Sequence, residues 1–155
     1  MNLTAKEYLQ QIKKLLNEIK KKESEIFMLE CLATGTTAPT DKEAVQTSGV
    51  SDKVGNVTVK IIMMQNEIRK QKAEALDKIS ECISVIEKVR ELPCQTAELQ
   101  YTILHERYIS FKKLKQIAAE ECYDYDYIRE LHGVALNNAA KFMPIHKVPT
   151  QTHIL

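Results

Sequence analysis

Twice along this chain, apolar residues step alternately by four and three, the spacing that keeps side chains on one face of a helix. The first run is Tyr8, Ile12, Leu15, Ile19, Lys22, Ile26, Leu29 and Ala33. The second is Ile61, Gln65, Ile68, Lys72, Ala75, Ile79, Cys82, Ile86 and Val89. Stripes held through so many turns commit the chain to long helices, because a strand would need alternation by two. Thr4 and Glu7 have capping-box spacing, which predicts a first helix over about 4–32. Pro93 closes a second, predicted over about 57–91.

Leu9, Leu16 and Phe27 make the first stripe broader than a two-helix seam requires. Lys22, Gln65 and Lys72 interrupt the seams, and polar residues there commonly set register or oligomer state at a cost in stability. Between the runs, residues 34–56 are rich in Thr, Ser, Gly and Asp and read as a flexible, disordered polar loop. Two long helices so joined most simply fold back as an antiparallel hairpin, a coiled coil. One hairpin has a thin core, so its wide stripe calls for cover by a second copy or by the C-terminal domain. A homodimer held by the long helices is therefore expected.

Composition supports an all-α fold. The 155 residues include only four Gly and four Pro, too few turn formers for a many-stranded sandwich or barrel. The length permits one domain or two small ones. Lys and Arg number 22 against 21 Asp and Glu, a net charge of +1, which by itself points to neither nucleic acid nor membrane. No apolar run approaches the roughly 18 to 20 residues of a membrane span, and an early Glu7 argues against a signal peptide.

Cys31, Cys82, Cys94 and Cys122 are far apart, with no CxxC pair and no His at ligand spacing. That pattern suits buried thiols in a reduced, cytoplasmic chain and gives no reason to expect a metal. A Gly-rich phosphate loop, GxSxG and HExxH are all missing. His105 and Glu106 are neighbours and so point to different sides of a helix. The expectation is a protein without catalytic activity or cofactor.

Residues 94–142 carry three shorter helical patterns. Leu99, Ile103, Leu104 and Tyr108 mark one; Leu114, Ile117 and Ala118 a second; Ile128, Leu131, Ala135, Leu136 and Ala139 a third. Asp124 is placed as the N-cap of the third. Pro144 and Pro149 mark a tail, 143–155, with little to order it. The chain thus divides into a hairpin (1–93), a domain of short helices (94–142) and the tail.

Within that domain, Arg107-Tyr108 precedes a helix carrying Ile117-Ala118-Ala119-Glu120, then a turn and a helix with Leu131-His132 and Ala135-Leu136. This arrangement resembles the helix-turn-helix of sigma-factor region 4. With long helices ahead of it, the chain is similar to the RinA/ArpU-like late-gene transcriptional regulators of phages and prophages. The resemblance implies a recognition helix whose inner face is Ile128 and Leu131, leaving Tyr125, Asp126, Tyr127, Arg129, Glu130 and His132 outward. Tyr125, Tyr127, Arg129 and His132 would then meet base edges, and Lys112, Lys113 and Lys115 would meet phosphates.

The turn position at which that family usually has Gly is Cys122, which must adopt a left-handed conformation if the turn is kept. Glu121 stands where Leu or Met is common. Across 94–142 there are six basic and seven acidic residues, an unusually weak basic footprint for a DNA reader. The resemblance nevertheless implies a sequence-specific, duplex-DNA-binding regulator acting as a homo-oligomer, with host RNA polymerase as a further partner. The alternative is a non-catalytic phage protein that inhibits a host nucleic-acid enzyme or defence nuclease, keeping the helix-turn-helix as a scaffold. A small terminase subunit fits less well, because it usually places its DNA-binding part first.

Overall fold

In the computed structural model, which describes residues 3–35 and 51–144, the elements are all helices. They are α1 (Ala5–Thr34), α2 (Ser51–Arg90), α3 (Ala97–Tyr108), α4 (Leu114–Glu120) and α5 (Tyr125–Ala140). The capping box forms: the Glu7 amide donates to Thr4 Oγ1 at 3.3 Å, and the Thr4 amide donates to Glu7 Oε2 at 2.9 Å. These hydrogen bonds from Thr4 hold the Glu7 carboxyl below its ordinary value.

The second helix starts earlier than the apolar pattern predicts, at Ser51 rather than near Val57. The remainder of the expected loop, 36–50, lies outside the described residues, as does the tail beyond Pro144. Among the described residues no helix is long and apolar enough to cross a membrane.

The chain packs as two compact units, Met1–Lys13 with Ser80–Leu155, and Lys14–Ile79. The sequence suggests a boundary at 93; the packing divides within α1 and α2 instead. In the first unit Leu9 and Ile12 of α1, Ile86 and Val89 of α2, and Ile103 and Leu104 of α3 are essentially without solvent contact. Each such side chain contributes about 1.5–3 kcal/mol by leaving water. The three short helices therefore share a unit with the start of α1 and the end of α2.

The buried amide in that core is matched, while the buried Tyr8 hydroxyl has no hydrogen-bond partner. Buried Gln100 donates to Thr96 Oγ1 at 2.9 Å and accepts from Asn138 Nδ2 at 2.7 Å, which ties the end of α5 to the start of α3. Across the α2–α3 connection, Arg90 makes a two-pronged pair with Glu98 at 2.8 and 2.9 Å. Its guanidinium carbon also lies 3.9 Å from the Tyr101 ring centroid.

In the second unit the α2 seam is buried at Ile61, Ile68, Ala75 and Ile79, and α1 contributes Ile19. The polar seam residues face acids of the same chain: Lys72 Nζ is 3.0 Å from Glu23 Oε1, and Lys22 is 3.9 Å from Glu25. Around them the seam opens into a groove of about 500 Å³. Polar interruptions thus thin the packing where they occur.

Candidate nucleic-acid interface

The three short helices pack each on the other two around Ile103, Ile117, Ala118, Ile128 and Leu131, with Leu99, Leu114 and Tyr125 at the margin. Ala118 is small enough to let α4 approach its neighbours closely. The turn from α4 to α5 has a defined geometry. Cys122 adopts φ 58°, the Tyr123 amide donates to Ala118 O at 3.0 Å, and the Cys122 amide donates to Ala119 O at 3.4 Å. That pair of bonds is a Schellman closure, which satisfies carbonyls the helix leaves unpaired. The left-handed residue expected at this turn is therefore present, on a cysteine. Asp124 takes the extended N-cap conformation for α5, but its side chain makes no capping hydrogen bond.

The turn from α3 to α4 is fixed by side chains. Phe111 has φ 57°, and the Lys112 amide donates to Glu106 O at 3.0 Å. Arg107 Nη1 donates to Lys112 O at 3.0 Å. Lys112 itself pairs with Glu106 on α3 and, at 2.7 Å, with Glu120 on α4. The two carboxylates, Glu106 before Glu120, raise the Lys112 ammonium above its ordinary range. Lys112 is thus corrected from a phosphate contact to a clamp between helices.

His132 is corrected as well. It is not directed outward at bases: its Nε2 lies 2.9 Å from Tyr108 Oη, and the two rings stack with centroids 5.8 Å apart. Burial, and then the positive charges of Arg107 and Lys6, push its pKa down to about 4, so it is neutral at pH 7. Burial likewise pushes Tyr108 up to about 12.

The other expected residues do reach the surface. Lys113, Lys115, Tyr127 and Arg129 are exposed and Tyr125 is half-buried. Tyr125 gathers cations, with Lys115 Nζ 5.6 Å and the Arg129 guanidinium carbon 6.0 Å from its ring centroid. Arg107, Lys113, Leu114, Lys115 and Tyr125 line a shallow cleft of about 260 Å³. Tyr123 and Tyr127, outside the cleft lining, lie with ring centroids 5.5 Å apart. Arg129 also reaches Asp126 at 3.5 Å, and Asp124 and Glu130 are exposed on the same helix. The surface therefore presents four cations, Arg107, Lys113, Lys115 and Arg129, around the Tyr125 ring, next to an acidic border.

Arg107 is a member of this surface that the sequence pattern leaves out. It lies at the end of α3, so only the fold brings it beside Lys113 and Lys115. Among the described residues, no three His, Cys, Asp or Glu side chains gather as a metal site would require. Comparison with protein-family models, with curated proteins and with solved structures gives no match.

Proposed function

We propose that this chain is a duplex-DNA-binding transcriptional regulator of the phage or prophage kind, working as a homodimer in the cytoplasm. In this reading α4, its turn and α5 form a helix-turn-helix, and α5 enters the major groove. Tyr123, Tyr127 and Arg129 face base edges, while Lys113, Lys115 and Arg107 hold phosphates. The observation that carries it is the closed turn at Cys122, which fixes α5 against α4 while leaving the Arg107–Lys113–Lys115–Tyr125 cleft open on the outside. Host RNA polymerase is a second partner in this reading, met through the acidic border.

Titrating duplex DNA at increasing salt tests it. A steep loss of affinity is expected, with a slope of about −0.9 in log affinity against log salt for each phosphate contact. No duplex binding at low salt would end the reading. One observation favours a different partner: Lys112 is neutralised within the protein and Arg129 is shared with Asp126. The exposed acids Asp124, Asp126 and Glu130 at the N-cap and in the first turns of α5 suit a basic protein surface, such as that of a host nucleic-acid enzyme or defence nuclease that this chain would inhibit without catalysis. Binding to such an enzyme that survives high salt, without DNA binding, would select that reading.

A further inference from the structure

The second unit holds more apolar surface than its own helices cover. Residues 26–33 of α1 contain Glu30 as their one charge, and residues 57–64 of α2 contain Lys60 as theirs. Both stretches are apolar nearly all round, and a helix of that kind belongs inside a larger core. Phe27, Met28 and Leu32 on α1 and Ile62, Met63 and Met64 on α2 are each about half to two thirds exposed. At about 200 Å² for a large free side chain, these six leave roughly 700 Å² of apolar side chain in water. The largest patch on an ordinary monomer is roughly 300–600 Å².

We infer that the ends of α1 and α2 flanking the 36–50 connection form the surface on which a second copy of this chain docks. The area falls within what one partner contributes to a standard stable interface, about 600–1,000 Å². The charges are self-complementary. A two-fold axis that lays α1 of one protomer on α2 of its partner brings a stretch whose one charge is Glu30 onto a stretch whose one charge is Lys60, twice. The connection could not supply the cover, since Val45 and Val50 are its only large aliphatic residues. Three methionines at the surface provide side chains that adapt to a facing helix. This inference deepens the homodimer part of the proposed function and does not depend on DNA.

The test is the mass of the full chain by light scattering at tens of micromolar, without DNA. A dimer is expected. Phe27→Glu combined with Met63→Glu, which puts like charges on the two facing helices, should raise the dimer dissociation constant by roughly 30-fold or more, the loss of a hot-spot contact, at unchanged helicity. Val134→Lys, at an exposed position of the first unit, should leave the mass unchanged. Should the double variant misfold, a benzophenone side chain placed at position 63 should give a covalent dimer on illumination, and one placed at 134 should not. A monomeric wild type overturns the inference. So does a dimer that survives the double variant, or one that does not cross-link from position 63. Replacing 36–50 by a Gly-Ser linker should leave the dimer intact; dimer loss there would assign the interface to the connection instead.

Discussion

Leu9 and Phe27 lie on the same face of α1, about five full turns apart at 3.6 residues per turn, and both widen the same stripe. Leu9 is completely buried, whereas Phe27 is 68% exposed. The difference lies in what packs alongside. Around Leu9 the end of α2 and the three short helices complete a core; around Phe27 the second unit has two helices only. A broad stripe states how much surface needs cover and is silent on which element supplies it. The first unit answers within the chain, and the second leaves the end of its stripe exposed.

Core deletions should separate the two regions most. Ile103→Ala removes a fully buried side chain from the first unit and should lower stability by about 2–5 kcal/mol. Met63→Ala, at a site two thirds exposed in the single chain, should change unfolding of the monomer by less than about 0.5 kcal/mol. Denaturant unfolding at low protein concentration checks both. Equal losses would mean that residues of the second unit are covered within one chain, and the contrast would fall.

The lysines sharpen the picture of the first unit. Lys112→Ala should lower the melting temperature, because Glu106 and Glu120 lose the ammonium between them, and should leave the salt slope of DNA binding unchanged. Lys113→Ala and Lys115→Ala should do the reverse, each reducing that slope by about 0.9 with little effect on melting. An equal fall in slope for all three would return Lys112 to the phosphate contacts.

Both stripes and the capping box were legible because they are local and periodic: every seam residue of α2 from Ile61 to Val89 is buried or half-buried. His132 was legible too, and misread. It follows Ile128 by four, so it belongs to the inner face with Leu131 and Ala135. Lys112 could not be read, since Glu106 and Glu120 come from two helices joined by a turn whose left-handed Phe111 has no sequence signature. The division within α1 and α2 was hidden for the same reason, because a helical stripe carries no address for its partner.

Acid should weaken the first unit selectively. Burial holds His132 at about 4 when folded, against about 6.5 in an unfolded chain. Between those values the unfolded state binds the extra proton, so this contribution is complete above about pH 6.5 and is lost as pH falls toward 4. Allowing for partial solvent screening, the loss should be on the order of 1–2 kcal/mol by pH 4.5. The second unit, Lys14–Ile79, contains no histidine. Melts at pH 7 and pH 5 should show the loss, and His132→Gln should flatten it; an unchanged pH dependence in that variant would assign the effect to carboxylates.

The smallest effect concerns how the helices end. Three described residues have positive φ, Gly35 after α1, Phe111 after α3 and Cys122 after α4, and only the first is the residue type that adopts it freely. A non-glycine residue there costs about 1–2 kcal/mol, and glycine offsets roughly 0.5–1 kcal/mol of that gain through its freedom in the unfolded chain. Cys122→Gly should therefore stabilise the first unit by about 0.5–1 kcal/mol, while Cys122→Ala, which keeps a Cβ, should give no gain. Phe111→Gly should not help, because it removes the ring that lies 5.6 Å from Lys13 Nζ along with the strain. Denaturant midpoints for the three variants give the comparison. If Cys122→Gly gains nothing, the Ala118 and Ala119 hydrogen bonds do not hold the turn in its left-handed form, and α5 has a looser seat on α4 than this geometry describes.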